Sequence, residues 1–181
     1  QHLELCRDIA QKFNNDYKVE NFFIVPEPLI KKEFSRIMSL KDGLKKMSKS
    51  EASDLSRINL TDDKDQIINK IKKAKTDTLP LPSTIEELEK RPEAKNLIGI
   101  YSSLTNNTFQ KSIDEFAGKN FSEFKEKLSD IVVNEINPIS VKIKELLDDK
   151  VFLEKILKNG YEKANEVASK KIKKIHEIVG F

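Results

Sequence analysis

Two lysines and two serines are packed into the five residues Lys46-Met47-Ser48-Lys49-Ser50, just after Gly43. Each ammonium is a compact cation with three donors, and each hydroxyl adds one more donor. A loop of this make-up can wrap positive charge and hydrogen bonds around a polyphosphate. Its chemistry is anion gripping. On charge alone the same lysines would read as ordinary solvated surface. The remaining reactive side chains suggest no competing site. Cys6 falls on an apolar helical stripe, as a buried inert thiol would, and His2 and His176 lie far apart with no Ser, Cys or carboxylate arrangement resembling a triad.

The chain that must position this loop has 181 residues, 38% of them hydrophobic and 35% charged, enough for one good core or two small ones. It carries no apolar run of transmembrane length and no signal-peptide pattern at its start, so a cytoplasmic setting is expected. One cysteine excludes an internal disulfide, and the two histidines beside it offer no zinc spacing; no metal site is expected. A net charge of +3 is too small to imply nucleic-acid binding by itself. The distribution is more telling. Residues 64–75 hold five lysines against Asp65, and Lys163, Lys170, Lys171, Lys173 and Lys174 crowd the last segment, with Glu86, Glu87, Glu89 and Glu93 between them. Such positive faces could line a polyanion, although exposed helices of mixed charge look similar.

Periodicity supplies the elements. Residues 1–13 place Leu3, Leu5, Cys6, Ile9, Ala10 and Phe13 near one helical stripe, broken by Asn14-Asn15-Asp16. Phe22-Phe23-Ile24-Val25, ended by Pro26, suits a buried strand whose partners are missing. Residues 51–60 are polar and irregular. Thr61-Asp62-Asp63 opens a helix with Ile67, Ile68, Ile71 and Ala74 on one face and lysines on the other. The prolyl stretch 76–83 is the expected internal hinge. Ser83-x-x-Glu86 forms a capping box, and Pro92 starts the next helix, whose stripe is Leu97, Ile98, Tyr101 and Leu104. Thr108 caps a short helix stopped by Gly118. Residues 121–147 are strongly periodic but contain Pro138, so a kink or break is expected near 134–137. A helix over 151–159 should stop at Gly160, and a last one should end at Gly180. Tyr101, Phe109 and Phe121 could offer aromatic surfaces to bases, but core packing explains them better.

Lys46-Met47-Ser48-Lys49-Ser50 resembles the KMSKS loop of class I aminoacyl-tRNA synthetases, and Ser35-Arg36-Ile37-Met38-Ser39-Leu40 ahead of it resembles the tryptophanyl branch. Gln1-His2-Leu3-Glu4-Leu5 is similar to the segment after a Gly-x-Asp-Gln turn in that branch, and residues 160–168 are similar to its terminal helix. The resemblance implies the C-terminal half of such an enzyme. Its fold would be mostly α: an α-helical bundle of the anticodon-binding type (61–181) attached to the remnant of a Rossmann-like α/β nucleotide-binding domain (1–60), with the last helix free to pack back on the catalytic part.

The same resemblance implies roles. Lys46 and Lys49 would neutralise charge on departing pyrophosphate, Ser48 and Ser50 would bond phosphate oxygens, Met47 would lie against adenine, and the backbone of Ile37 would read its edge. Gln1 would contact substrate. ATP and Mg²⁺ are the implied cofactors, and tRNA(Trp), tryptophan and a second copy of the intact enzyme the implied partners. The N-terminal His-x-Gly-His or Thr-x-Gly-Asn signature of class I enzymes does not occur here, so the 181 residues alone should not activate an amino acid. A tyrosyl-type synthetase and a non-enzymatic helical interaction module are the alternatives.

Overall fold

The computed structural model describes residues 2–29 and 36–181. Among these the fold is mostly helical and contains no strand, only an isolated antiparallel bridge between Met38 and Lys46. Two compact units emerge. One comprises the described part of Lys32–Asp148; the other joins the described part of Gln1–Lys31 to Asp149–Phe181. Residue 60 lies within the first.

The core sits in the first unit, where α2 (Lys64–Lys72), α3 (Ile85–Glu89), α4 (Pro92–Thr105), α5 (Phe109–Phe116) and α6 (Phe121–Asp148) enclose Ile67, Ile71, Leu97, Ile98, Ile113, Phe124 and Leu128. Local chemistry sets the ends of these helices. Asp63 and Gln66 form a reciprocal capping box at the start of α2. At α3 the cap is Thr84, one residue later than expected, because Ser83 instead donates its backbone N–H to Glu87. Pro92 occupies the first turn of α4, Asn106 closes it in the left-handed region, and Thr108 caps α5. Gly118 follows α5 with φ 72°, a conformation open to a residue without Cβ. Tyr101 and Phe121 are buried and Phe109 packs against the core, as the packing explanation requires.

Two expected interruptions, the prolyl hinge and the stop at Gly160, are absent. The prolyl stretch is no hinge: Leu81 and Pro82 are buried, Leu81 exchanges backbone hydrogen bonds with Lys119 and Gly118, and Arg91 grips Asp77, Leu79 and Pro80. The Arg91 guanidinium, 2.5 Å away, holds the Asp77 carboxyl below its ordinary pKa. Helix α6 runs through Pro138 unbroken, with Val132 and Val133 buried before it and Ser140 after it. Burial of Val132 and Val133 ahead of it counters the roughly 3 kcal/mol that an interior proline costs. Gly160 likewise lies inside α7 (Lys150–Val179), since one glycine costs only about 1 kcal/mol against many propagating residues. Gly180 does end that helix.

In the second unit, α1 (His2–Asp16) continues to Asp16, supported by a Lys12–Asp16 pair at 2.7 Å. The expected strand at 22–25 does not form. The Asn14 carboxamide accepts from the Phe23 N–H at 3.0 Å and donates to the Phe23 C=O at 2.8 Å, giving that backbone the partner a neighbouring strand would have supplied. Phe13, Tyr17, Phe22 and Phe23 cluster around this clasp, with Phe23 edge to face against Phe13 and Phe22, and the Lys171 ammonium from α7 lies 3.6 Å from the Phe22 ring centroid. Only Ala10 of α1 is buried and no residue of α7 is, so among the described residues most of the α1 stripe is exposed. Cys6 is accordingly exposed, contrary to the buried thiol expected of it.

Candidate functional site

Residues 36–47 turn back on themselves. The Ser39 N–H donates to the Lys45 C=O at 2.7 Å and the Met47 N–H to the Ile37 C=O at 3.0 Å, with Met38 facing Lys46 between them. This is the spacing of a non-hydrogen-bonded antiparallel pair. At the tip, Asp42 accepts from the Leu44 N–H through its side chain and from the Lys45 N–H through its carbonyl.

The tip is seated on α4. A Cβ on Gly43 would lie 2.5 Å from the Pro92 carbonyl carbon and 2.6 Å from the Glu93 nitrogen, both backbone atoms that cannot swing aside. The Glu93 carboxylate pairs with Lys75 at 2.8 Å, and the Lys75 ammonium holds the Glu93 carboxyl below its ordinary pKa. Gly43→Ala is therefore expected to destabilise this unit by about 1 to 3 kcal/mol, read as a lower urea midpoint at unchanged slope.

Beyond the hairpin the chain makes a tight turn in which the hydroxyls of Ser48 and Ser50 meet at 2.8 Å and the Ser50 N–H donates to Ser48 Oγ at 3.3 Å. It then returns through a 3₁₀ turn at Asp54–Ser56. Arg57 braces the return: its guanidinium donates to the carbonyls of Glu51 and Ser53 and to Asn59 Oδ1, and pairs with Asp54 at 3.1 Å. Below lies a buried ion pair. Lys70 of α2 reaches Asp62 at 2.6 Å and Asp54 at 2.7 Å, while Asp62 also accepts from the Asn59 N–H.

A cleft of about 740 Å³ opens between hairpin and return. Ile37, Lys46, Met47, Ser48 and Lys49 line it, so five of the residues singled out from sequence share one wall. Ser50 touches it through Ser48, and Gln1 lies outside the described residues. Lys46 and Lys49 are exposed, and among the described residues neither has a carboxylate partner. Among the described residues no acidic side chain lines the cleft. Its chemistry is that of a receptor for an anion carrying several charges. The donor set does not fit a divalent metal, which prefers carboxylate oxygens, and among the described residues no cluster of His, Cys, Asp or Glu could hold one.

Sequence reading missed three supports. Arg36 lines the cleft, Arg57 is a brace whose donors are already engaged, and Lys70, read as part of a lysine face, is buried. The two aspartates near Lys70 were visible in the sequence, but only the fold brings them to it.

Residues 1–137 match the family described as tRNA synthetases class I (W and Y). The chain is 49% identical over its whole length to a tryptophan–tRNA ligase of Caulobacter vibrioides, covering 53% of it, and 50% identical to one of Rickettsia felis, covering 54%. It thus spans about half the length of the curated relatives it matches. Among solved structures it is similar to tryptophanyl-tRNA synthetase of Mycoplasma pneumoniae, with TM-score 0.80 and 26% identity over 99% of this chain and 53% of that one. It is also similar to the Campylobacter jejuni enzyme complexed with ADP and tryptophan, with TM-score 0.66 and 27% identity over 99% of this chain and 54% of the other.

Proposed function

The chain belongs to the class I tRNA synthetases of the tryptophan and tyrosine branch, and from that premise we propose that it supplies the loop-bearing half of a tryptophan–tRNA ligase. In this reading the intact enzyme activates tryptophan with ATP to tryptophanyl-adenylate and transfers it to tRNA(Trp). The observation that carries the proposal is the pair Lys46 and Lys49, which share one cleft wall and, among the described residues, have no carboxylate partner. The tryptophan–tRNA ligases among the relatives favour this substrate over tyrosine.

The residues then act as follows. As the tryptophan carboxylate attacks the α-phosphorus, negative charge builds on the leaving pyrophosphate, and Lys46 and Lys49 neutralise it. Ser48 and Ser50 open their mutual bond and turn their hydroxyls to phosphate oxygens. Ile37 reads the adenine edge: its carbonyl already accepts from Met47 but keeps a second lone pair for an amino group. Met47, half-buried against the core, lays its thioether beside the ring. Gln1 completes the substrate contacts. Mg²⁺ would add charge neutralisation on the phosphates; the donor set here gives it no carboxylate, and no step of these residues depends on it.

The division of labour follows the same reading, with residues 1–60 as the end of a Rossmann-like nucleotide-binding domain and 61–181 as the helical, anticodon-binding part. Lysines of α2 and α7 would track phosphates of the tRNA. The intact enzyme would be a cytoplasmic homodimer. Among the described residues no helix is long and apolar enough to cross a membrane.

The test is tryptophan-dependent exchange of pyrophosphate into ATP. The full-length protein should catalyse it, and the purified 181 residues should not. Exchange driven by tyrosine, or none from the full-length protein, would overturn the assignment.

A further inference from the structure

We propose that Asn96, in the first half of α4, is a positioning residue for the lysines of the loop. Met38 faces Lys46 across a non-hydrogen-bonded pair, so its own N–H and C=O point away from that partner. In a sheet a third strand would meet them. Here the Asn96 carboxamide does: Oδ1 accepts from the Met38 N–H at 2.9 Å, and Nδ2 donates to the Met38 C=O at 2.8 Å and the Ser39 C=O at 3.4 Å. The side chain is 8% exposed, so these bonds meet little competition from water.

One helix therefore holds the hairpin at two points, the tip through Gly43 against Pro92 and Glu93, and the edge through Asn96. Two points fix a rotation as well as a position. Met38 faces Lys46, and Met47 is bonded to Ile37, so the tilt of this edge sets the direction in which Lys46 leaves the hairpin and the point from which the chain departs towards Lys49. Asn96 lines a second cleft, of about 540 Å³, whose wall shares Arg36 and Ile37 with the first. Asn96 does not line the first cleft and acts through the backbone of Met38 and Ser39.

The catalytic consequence rests on the function proposed above; the structural one does not, and the experiment separates them. Hydrogen exchange is measured on the 181-residue chain with Asn96→Asp, which keeps size but replaces the donor with an acceptor, and with Asn96→Ala. Amide protection at Met38, Ser39 and Met47 should fall at least tenfold while that of α6 is unchanged. Unaltered protection at these three amides overturns the clamp whatever the enzymology. In the full-length protein both variants should lower the rate of tryptophan activation about tenfold or more at saturating ATP, with tryptophan affinity retained. In a Lys46→Ala background the same changes should cost no more than about twofold, because the group they position is gone. A fully multiplicative loss, or an undiminished rate beside lost protection, overturns the positioning role. Absence of activation in the unmodified protein sinks the synthetase reading and leaves the exchange result to decide the clamp.

Discussion

Replacing Lys49 with alanine in the full-length protein is expected to slow tryptophan activation by about 2 to 4 kcal/mol in barrier height, roughly thirty- to a thousandfold. Tryptophan affinity should hardly change. The reason is timing: on the proposed function, the pyrophosphate charge that Lys49 would meet grows only as the α-phosphorus bond breaks, so the interaction would belong to the transition state. Lys49 is exposed, and no carboxylate among the described residues is bonded to it. Its removal should therefore leave the fold alone, and an equal urea midpoint is the control. Presteady-state measurement of adenylate formation decides the matter. A normal rate removes the loop from the chemistry, and a loss confined to tryptophan binding assigns it a different role.

Asp62→Ala should produce the largest change in stability, about 3 to 5 kcal/mol, because it leaves the Lys70 ammonium nearly enclosed with one partner fewer. Lys70 would retain Asp54, whose carboxylate is 2.7 Å away but half exposed. The Asn59 N–H would also lose its acceptor. Urea unfolding followed by circular dichroism reads the cost, and a loss under 1 kcal/mol would show that solvent reaches Lys70 freely. The wild-type network has a pH signature with a defined sign. Hydrogen bonds from Lys70 and Asn59 hold the Asp54 carboxyl below its ordinary pKa, so its contribution is present above about pH 4 and is lost as acid takes the pH down through the lowered value.

Much of this fold was legible because local chemistry specified it. The Leu97, Ile98, Tyr101 stripe of α4, Pro92 at its start, the Thr108 cap and the left-handed Gly118 each follow from a rule spanning a few residues. Gly160 was misread because its local penalty is smaller than what the flanking helix returns. Phe22 and Phe23 show a different limit. A short apolar run has no period of its own, and what decided its conformation was a carboxamide nine residues away. The pentapeptide stood out from composition alone, and four of its residues line one cleft. Its supports did not. Asn96 is 58 residues from Met38, and a polar side chain inside a helix gives no local sign that it will find a backbone to clasp.

The two asparagine clasps use one device, a helix standing in for a strand. The outcome is a stiff hairpin followed by a slack loop, since 48–50 is tied chiefly by its own hydroxyls. On the proposed function, arrival of nucleotide would cost only those few residues their conformational freedom, at roughly 1 to 2 kcal/mol each. The entropy lost on each turnover would thereby be confined to a handful of dihedral angles, and product would escape by release of that loop while the scaffold beneath keeps its shape.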